Sequence, residues 1–281
     1  MKVMVAGALH LDLVVRAPHL PQRDETVVGS RVDYVFGGKG GNQAIAAAAM
    51  GAPTVFAGRA GIDAFGEMLR LRLTQSAVDA SQLQLDPGPS GMSAAIVDEN
   101  GDYGAAIVSA SNLNIDADAI TLPNPAAVLS LQNEIPEAVN IALALKAKAQ
   151  GTPVWLNAAP ARALSPEFMD LLDLIIVNRV EAAFYQDRAL RPRMLETLGK
   201  DGVKLDGEHH PGFPIEATSS HGAGDMFIGA LAAEVCAGAS VADALPFAQA
   251  AAALLVSTPL AARDHLTREA VDAFRAGHGS R

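Results

Sequence analysis

Ser219-Ser220-His221-Gly222-Ala223-Gly224-Asp225 runs into the apolar stretch Met226-Phe227-Ile228-Gly229-Ala230-Leu231. Two glycines two apart precede a carboxylate, and a helical pattern follows. The start of a helix offers unpaired amide N–H groups and the positive end of the macrodipole, so it attracts anions. The glycines let the backbone come close to such an anion. A carboxylate in that place is not itself the bound anion. It reads as a base standing beside a phosphate site, and the combination suggests phosphoryl transfer to a hydroxyl.

Outward from this stretch, short apolar runs alternate with helical patterns. That alternation predicts an α/β fold with a largely parallel sheet. Strands are expected at Val3–Ala6, Thr54–Ala57, Ala127–Leu131, Val154–Leu156 and Leu174–Val177. Helices are expected at Gln43–Met50, Phe65–Ser76, Glu137–Gln150, Ala223–Ala237 and Val241–Ser257. Pro136 marks the start of the Glu137 helix and Gly151 its end, and Gly51 closes the Gln43 helix in the same manner. Two regions break the alternation. Strand formers dominate Thr26–Phe36, and Ser93–Asp98 and Tyr103–Ser109 flank Asn100-Gly101, a strong hairpin signal. These pieces predict a small antiparallel sheet within 12–36 and 93–109, projecting as a lid from one domain that spans 1–281.

The chain has 281 residues, of which 50% are hydrophobic, enough for one large core. Its formal net charge is -10, and it lacks a basic run, which argues against nucleic-acid binding. A single cysteine, Cys236, excludes an internal disulfide and fits a reducing compartment. It lies in an apolar helical run and reads as packing. The longest apolar stretch, Ala248–Val256, includes Gln249 and is too short to span a bilayer. A soluble cytoplasmic protein is expected. His209 and His210 are adjacent, but no matching Cys or His cluster lies near them, so they read as a polar turn before Pro211 rather than metal ligands. Trp155 and Phe56 read as core.

A second glycine cluster, Gly37-Gly38-Lys39-Gly40-Gly41-Asn42-Gln43, precedes an Ala-rich helix. Lys39 and Asn42 add a cation and an amide, groups suited to hydroxyls or phosphate. This is not a P-loop, because the Lys lies among the glycines and no Ser or Thr follows it. Nor is Gly7 followed by the spaced glycines of a dinucleotide fingerprint, which disfavours an oxidoreductase. Taken alone, the cluster also fits a tight strand-to-helix turn.

With both glycine clusters in this order, the chain resembles the ribokinase-like, or PfkB, family of carbohydrate and nucleoside kinases. The resemblance runs over nearly the whole length. It includes Gly7–Asp12, Asn157–Arg162, Asn178-Arg179-Val180-Glu181 and Thr197-Leu198-Gly199. It implies a three-layer α/β sandwich with a mostly parallel central sheet and a small β lid. Asp225 matches the catalytic base, and a carboxylate at a helix start is expected to stay ionised. Gly222, Ala223 and Gly224 match an anion hole for the transferred phosphoryl. His10, Asp12, Gly38, Lys39, Asn42 and Glu134 fall at substrate positions. Asn178, Thr197, Gly199 and Gln249 fall on the nucleotide side, and Glu181 matches a magnesium contact made through water. ATP and Mg2+ are the implied cofactors, and a homodimer through the lid is implied by analogy.

Several positions depart from the family pattern. His10 replaces an Asn that touches the sugar in ribokinases, which leaves the sugar open. Ser219-Ser220 replaces an Asp-Thr pair that supports a monovalent-cation site. The tail Ser257–Ala262 lacks a glycine-bearing loop, so monovalent-cation activation is not expected. The span from Glu181 to Thr197, with Arg188, Arg191 and Arg193, is shorter than usual. The expected reaction is ATP-dependent phosphorylation of a hydroxymethyl group on a small sugar. The alternatives are a nucleoside kinase of pseudouridine or adenosine type, or a weakly active sugar-binding homologue.

Overall fold

A computed structural model describes residues 1–186 and 192–278. In chain order its strands are β1 (Lys2–Ala6), β2 (His10–Arg16), β3 (Arg31–Gly37), β4 (Thr54–Gly61), β5 (Asp79–Asp86), β6 (Met92–Val97), β7 (Tyr103–Val108), β8 (Ala126–Gln132), β9 (Val154–Asn157), β10 (Leu174–Asn178), β11 (Arg193–Thr197), β12 (Val203–Leu205) and β13 (Glu208–His210). The helices are α1 (Lys39–Ala49), α2 (Ala64–Gln75), α3 (Glu137–Ala149), α4 (Pro166–Leu171), α5 (Arg179–Tyr185), α6 (Ala223–Cys236), α7 (Val241–Ser257) and α8 (Arg268–His278).

The apolar runs become the middle of a sheet because both of their faces must be covered. That sheet has the order β13-β12-β11-β10-β9-β8-β1-β4-β5. All its pairings from β11 to β5 are parallel, and β12 and β13 add an antiparallel edge. Two cores flank it. One joins Val3, Val5, Phe56 and Trp155 to α1, α6 and α7. The other joins Met4, Leu129, Leu156 and Ile175 to α3, Phe168 and Tyr185. This is the expected three-layer sandwich.

The lid is a second sheet in the order β3-β2-β6-β7, antiparallel at its outer pairs but, unlike the fully antiparallel sheet expected, parallel between β2 and β6. β6 and β7 pair antiparallel across the Asn100-Gly101 turn, with Gly101 at φ 87°. The strand expected over Thr26–Phe36 starts only at Arg31 and ends at Gly37. The helix expected from Gln43 begins at Lys39, so Gly40 and Gly41 lie in the first turn of α1, while Gly37 ends β3 and Gly38 caps the helix. His209 and His210 lie on the edge strand β13, not in a turn, because pairing with β12 extends them. No group of three or more His, Cys, Asp or Glu able to hold a metal occurs among the described residues. No helix there is long and apolar enough to cross a membrane. Arg188 and Arg191 lie outside the described residues, and Arg193 pairs with Asp206.

Chain order along the sheet reverses at β1, which has β4 on one side and β8 on the other. In open α/β sheets, ligands bind outside the carboxyl ends of strands at such a point. Those ends carry Glu134 two residues after β8, Asn157 ending β9, Asn178 ending β10 and Thr197 ending β11.

Candidate active site

Asp225 stands in the first turn of α6 and is only 9% exposed. Two neighbouring residues of α1 reach it. Asn42 Nδ2 donates to Asp225 Oδ2 at 3.2 Å, and Gln43 Nε2 donates to Oδ1 at 3.0 Å. The Gln43 amide is locked in that sense, because its Oε1 already accepts from Ser130 Oγ (3.0 Å) and Gln132 Nε2 (2.9 Å). Burial pushes the Asp225 carboxyl above the usual carboxylate range, against the pull of the Lys39 charge and these two donors. The helix start therefore does not by itself keep Asp225 ionised. Desolvation outweighs it and leaves a more basic carboxylate, better matched to taking a proton near neutral pH.

A cleft of about 220 Å3 opens beside Asp225. Its walls include Lys39, Asn157, Asn178, Glu181, Thr197 and Gly222–Asp225. Gly222 caps α6 at φ 78°, a left-handed conformation that favours glycine. A Cβ added at Gly224 would meet no protein atom within 4 Å. Packing does not require that glycine, and its missing side chain leaves the helix mouth open. The Ala223 amide donates to Ser220 O at 3.2 Å.

A group of polar residues lies on the lid side of Asp225. Gly38 adopts φ 91°, and a Cβ there would fall 2.5 Å from Ala8 O. This turn aims the Lys39 N–H at Glu134 Oε2, at 2.7 Å. Burial raises the Glu134 pKa, the Lys39 amide and charge lower it, and Asp225 and Asp12 raise it further. Asp12 on β2 accepts from Ser93 Oγ on β6. His10 is 7% exposed, and its Nε2 is buried without a partner. Burial lowers its pKa against the pull of Asp12, so the ring is neutral near pH 7.

The structure thus gathers Asp225, Gly222, Ala223, Gly224, Lys39, Asn178, Thr197 and Glu181 around one cleft. It sets Asn42 and Glu134 against that group. His10 and Asp12 lie on β2 of the lid, outside the cleft wall. Gly199 and Gln249 are not in the cleft wall. Asn178 and Glu181 also form a capping box for α5. Asn178 Oδ1 accepts from the Val180 and Glu181 amides (2.9 and 3.0 Å), and Glu181 Oε2 accepts from Asn178 N (2.7 Å). The Asn-x-x-Glu spacing is itself a capping signature, a signal that reading it only as a ligand motif passes over. Because Asn178 engages both Glu181 oxygens, this carboxylate suits a metal held through water rather than by direct ligation. Sequence reading also missed Gln43, Ser93, Ser130 and Gln132, because their partners lie in other elements.

Comparison with known proteins gives the family. The model of the pfkB family of carbohydrate kinases matches residues 1–268. The chain belongs to the pfkB family. It is 32% identical over 270 residues to a ribokinase of Bacillus subtilis, covering 90% of this chain and 92% of that one. A ribokinase of Lactococcus lactis is 32% identical over 271 residues, covering 91% and 90%. The structure of Arabidopsis thaliana ribokinase complexed with ribose and ATP is similar at TM-score 0.87 and 26% identity, covering 97% of this chain and 98% of that one. This pfkB-family chain is an ATP-dependent sugar kinase, and the nucleoside-kinase alternative is not favoured.

Proposed function

We propose that the chain transfers the γ-phosphoryl group of ATP to a hydroxymethyl oxygen of a small sugar, with Asp225 as base. The observation that carries this reading is the buried Asp225 carboxylate, held by Asn42 and Gln43 at the mouth of the Gly222–Gly224 turn. Asp225 takes the hydroxyl proton as the sugar oxygen bonds to the γ-phosphorus and the bond to the ADP oxygen breaks. Backbone N–H groups of Gly222, Ala223 and Gly224 stabilise charge on the transferred group. The sugar rests between Asp12, Glu134, Asn42 and the Gly38-Lys39 turn, and its hydroxyls satisfy the unpartnered His10 Nε2. The nucleotide lies along Asn178, Thr197 and Gly199 toward Gln249. Mg2+ on the phosphates, held by Glu181 through water, would neutralise their charge.

We place the protein in the cytoplasm, on its single cysteine and its need for ATP; activity recovered in a secreted or membrane fraction would contradict this. A homodimer through the lid completes the proposal. The test is ADP release with ATP and Mg2+ on a panel of pentoses, hexoses and nucleosides, in potassium and in sodium buffers. Turnover is expected on a free sugar, ribose first, with little difference between the two salts. Turnover on nucleosides alone would overturn the sugar assignment, and strong potassium activation would overturn the cation assignment.

A further inference from the structure

Arg263 lies in the short helical turn Leu260–His265 that follows α7. Its guanidinium donates to three backbone carbonyls. Nε reaches Thr258 O at 3.0 Å, Nη1 reaches His221 O at 2.9 Å and Nη2 reaches Ser219 O at 2.8 Å. Among the described residues, no ion pair includes Arg263. Two of the carbonyls belong to the segment entering the Gly222 turn, and the third ends α7. Thr218 joins the same two segments, since its N–H and Oγ1 both donate to Val256 O at 2.8 Å. The turn carrying Arg263 is anchored in its own right, because Asp264 accepts from Arg72 Nη2 of α2 at 2.5 Å.

Three carbonyl oxygens converging on one place repel one another unless a cation sits among them. Arg suits this place better than Lys, because its planar fork presents several donors in fixed directions. The consequence for the site follows from peptide geometry. A trans peptide unit is planar, so its N–H points opposite to its C=O. The His221 carbonyl and the Gly222 N–H belong to one such unit. Holding the carbonyl on Arg263 turns the Gly222 N–H away from Arg263, toward the helix mouth, and polarises it as a donor.

We propose that Arg263 is a positioning residue for phosphoryl transfer, a tethered cation that fixes the Ser219–His221 peptides so that the Gly222 amide faces the transferred phosphoryl group. The proposal rests on the kinase reading.

The test compares the full-length protein with Arg263→Ala and Arg263→Lys at saturating ATP and sugar. In Arg263→Ala, kcat is expected to fall about ten- to a hundred-fold, as for a misplaced catalytic group, while the sugar KM moves by less than about twofold. Millimolar guanidinium restores most of the loss. Amide hydrogen exchange across 219–224 speeds up by about tenfold or more, while the middle of α6 is unchanged. Arg263→Lys keeps the charge without the fork and falls between the two; it serves as the readout if the alanine variant does not fold. A kcat within twofold of wild type, a loss that guanidinium does not restore, or unchanged exchange across 219–224 would each overturn the proposal. If the unaltered protein turns over no sugar, the kinase reading fails instead, and the exchange comparison still decides whether Arg263 holds this segment.

Discussion

On the proposed reading, Asp225 is a base set by opposing forces. Burial pushes its carboxyl toward the protonated form, which cannot accept a proton. Asn42, Gln43 and the Lys39 charge pull the other way. Its pKa is raised on balance, so kcat is lost as pH falls through a value above the ordinary carboxylate range and is fully present above it. Gln43→Leu removes one donor to the ionised form and pushes that pKa higher. The acid limb of the kcat profile is then expected to move to higher pH, with kcat at a fixed pH on that limb falling about tenfold or more, the worth of one hydrogen bond to a charge. An acid limb that stays in place in this variant would show that Gln43 does not tune the base. Gly222, Gly224 and Asp225 are legible from sequence because their work is local: a left-handed cap, an open helix mouth and a carboxylate in the first turn. Gln43, Ser93 and Arg263 are not, because each acts through a partner far along the chain that only the fold brings near.

At the level of elements, the site depends on how closely α1 and α6 approach. Gly229 lies one turn beyond Asp225. A Cβ there would fall 2.5 Å from Ala46 Cβ, 2.7 Å from Ala47 N and 2.8 Å from Gln43 O. Two of those atoms are backbone, so the helices would have to separate. That separation would also pull Asp225 away from Asn42 and Gln43. Gly229→Ala is therefore expected to cost about 1–3 kcal/mol, as overpacking does, and to lower both the melting temperature and kcat. A variant that melts with the wild type would refute the close-approach account. The apolar run Met226–Leu231 signals a helix without showing which face meets α1. Five strands of the main sheet, β1, β4, β8, β9 and β10, are legible because buried parallel strands are continuous apolar runs. β12 and the edge strand β13 are not legible, since three residues each carry no readable period, and polar residues interrupt β5 and β11.

Over the whole molecule, the sheet gathers strand ends at one crevice, and the lid carries Asp12 and His10 on β2. The lid leaves Val32, Tyr34, Ile107 and Val108 exposed on β3 and β7, its two edge strands. Exposed apolar edges invite pairing with a second copy. Sedimentation at micromolar concentration should report a dimer, which Val32→Glu with Ile107→Glu converts to monomer. A wild-type monomer would contradict the lid dimer. The central claim concerns one carboxylate, and the most direct test is phosphate transfer followed by 31P NMR in wild type and Asp225→Asn, with ATP, Mg2+ and the best sugar of the panel. The wild type should form a sugar phosphate at the hydroxymethyl carbon, and the variant should lose about a thousandfold in rate, within the range for a general base. Turnover in Asp225→Asn within tenfold of wild type would contradict the account.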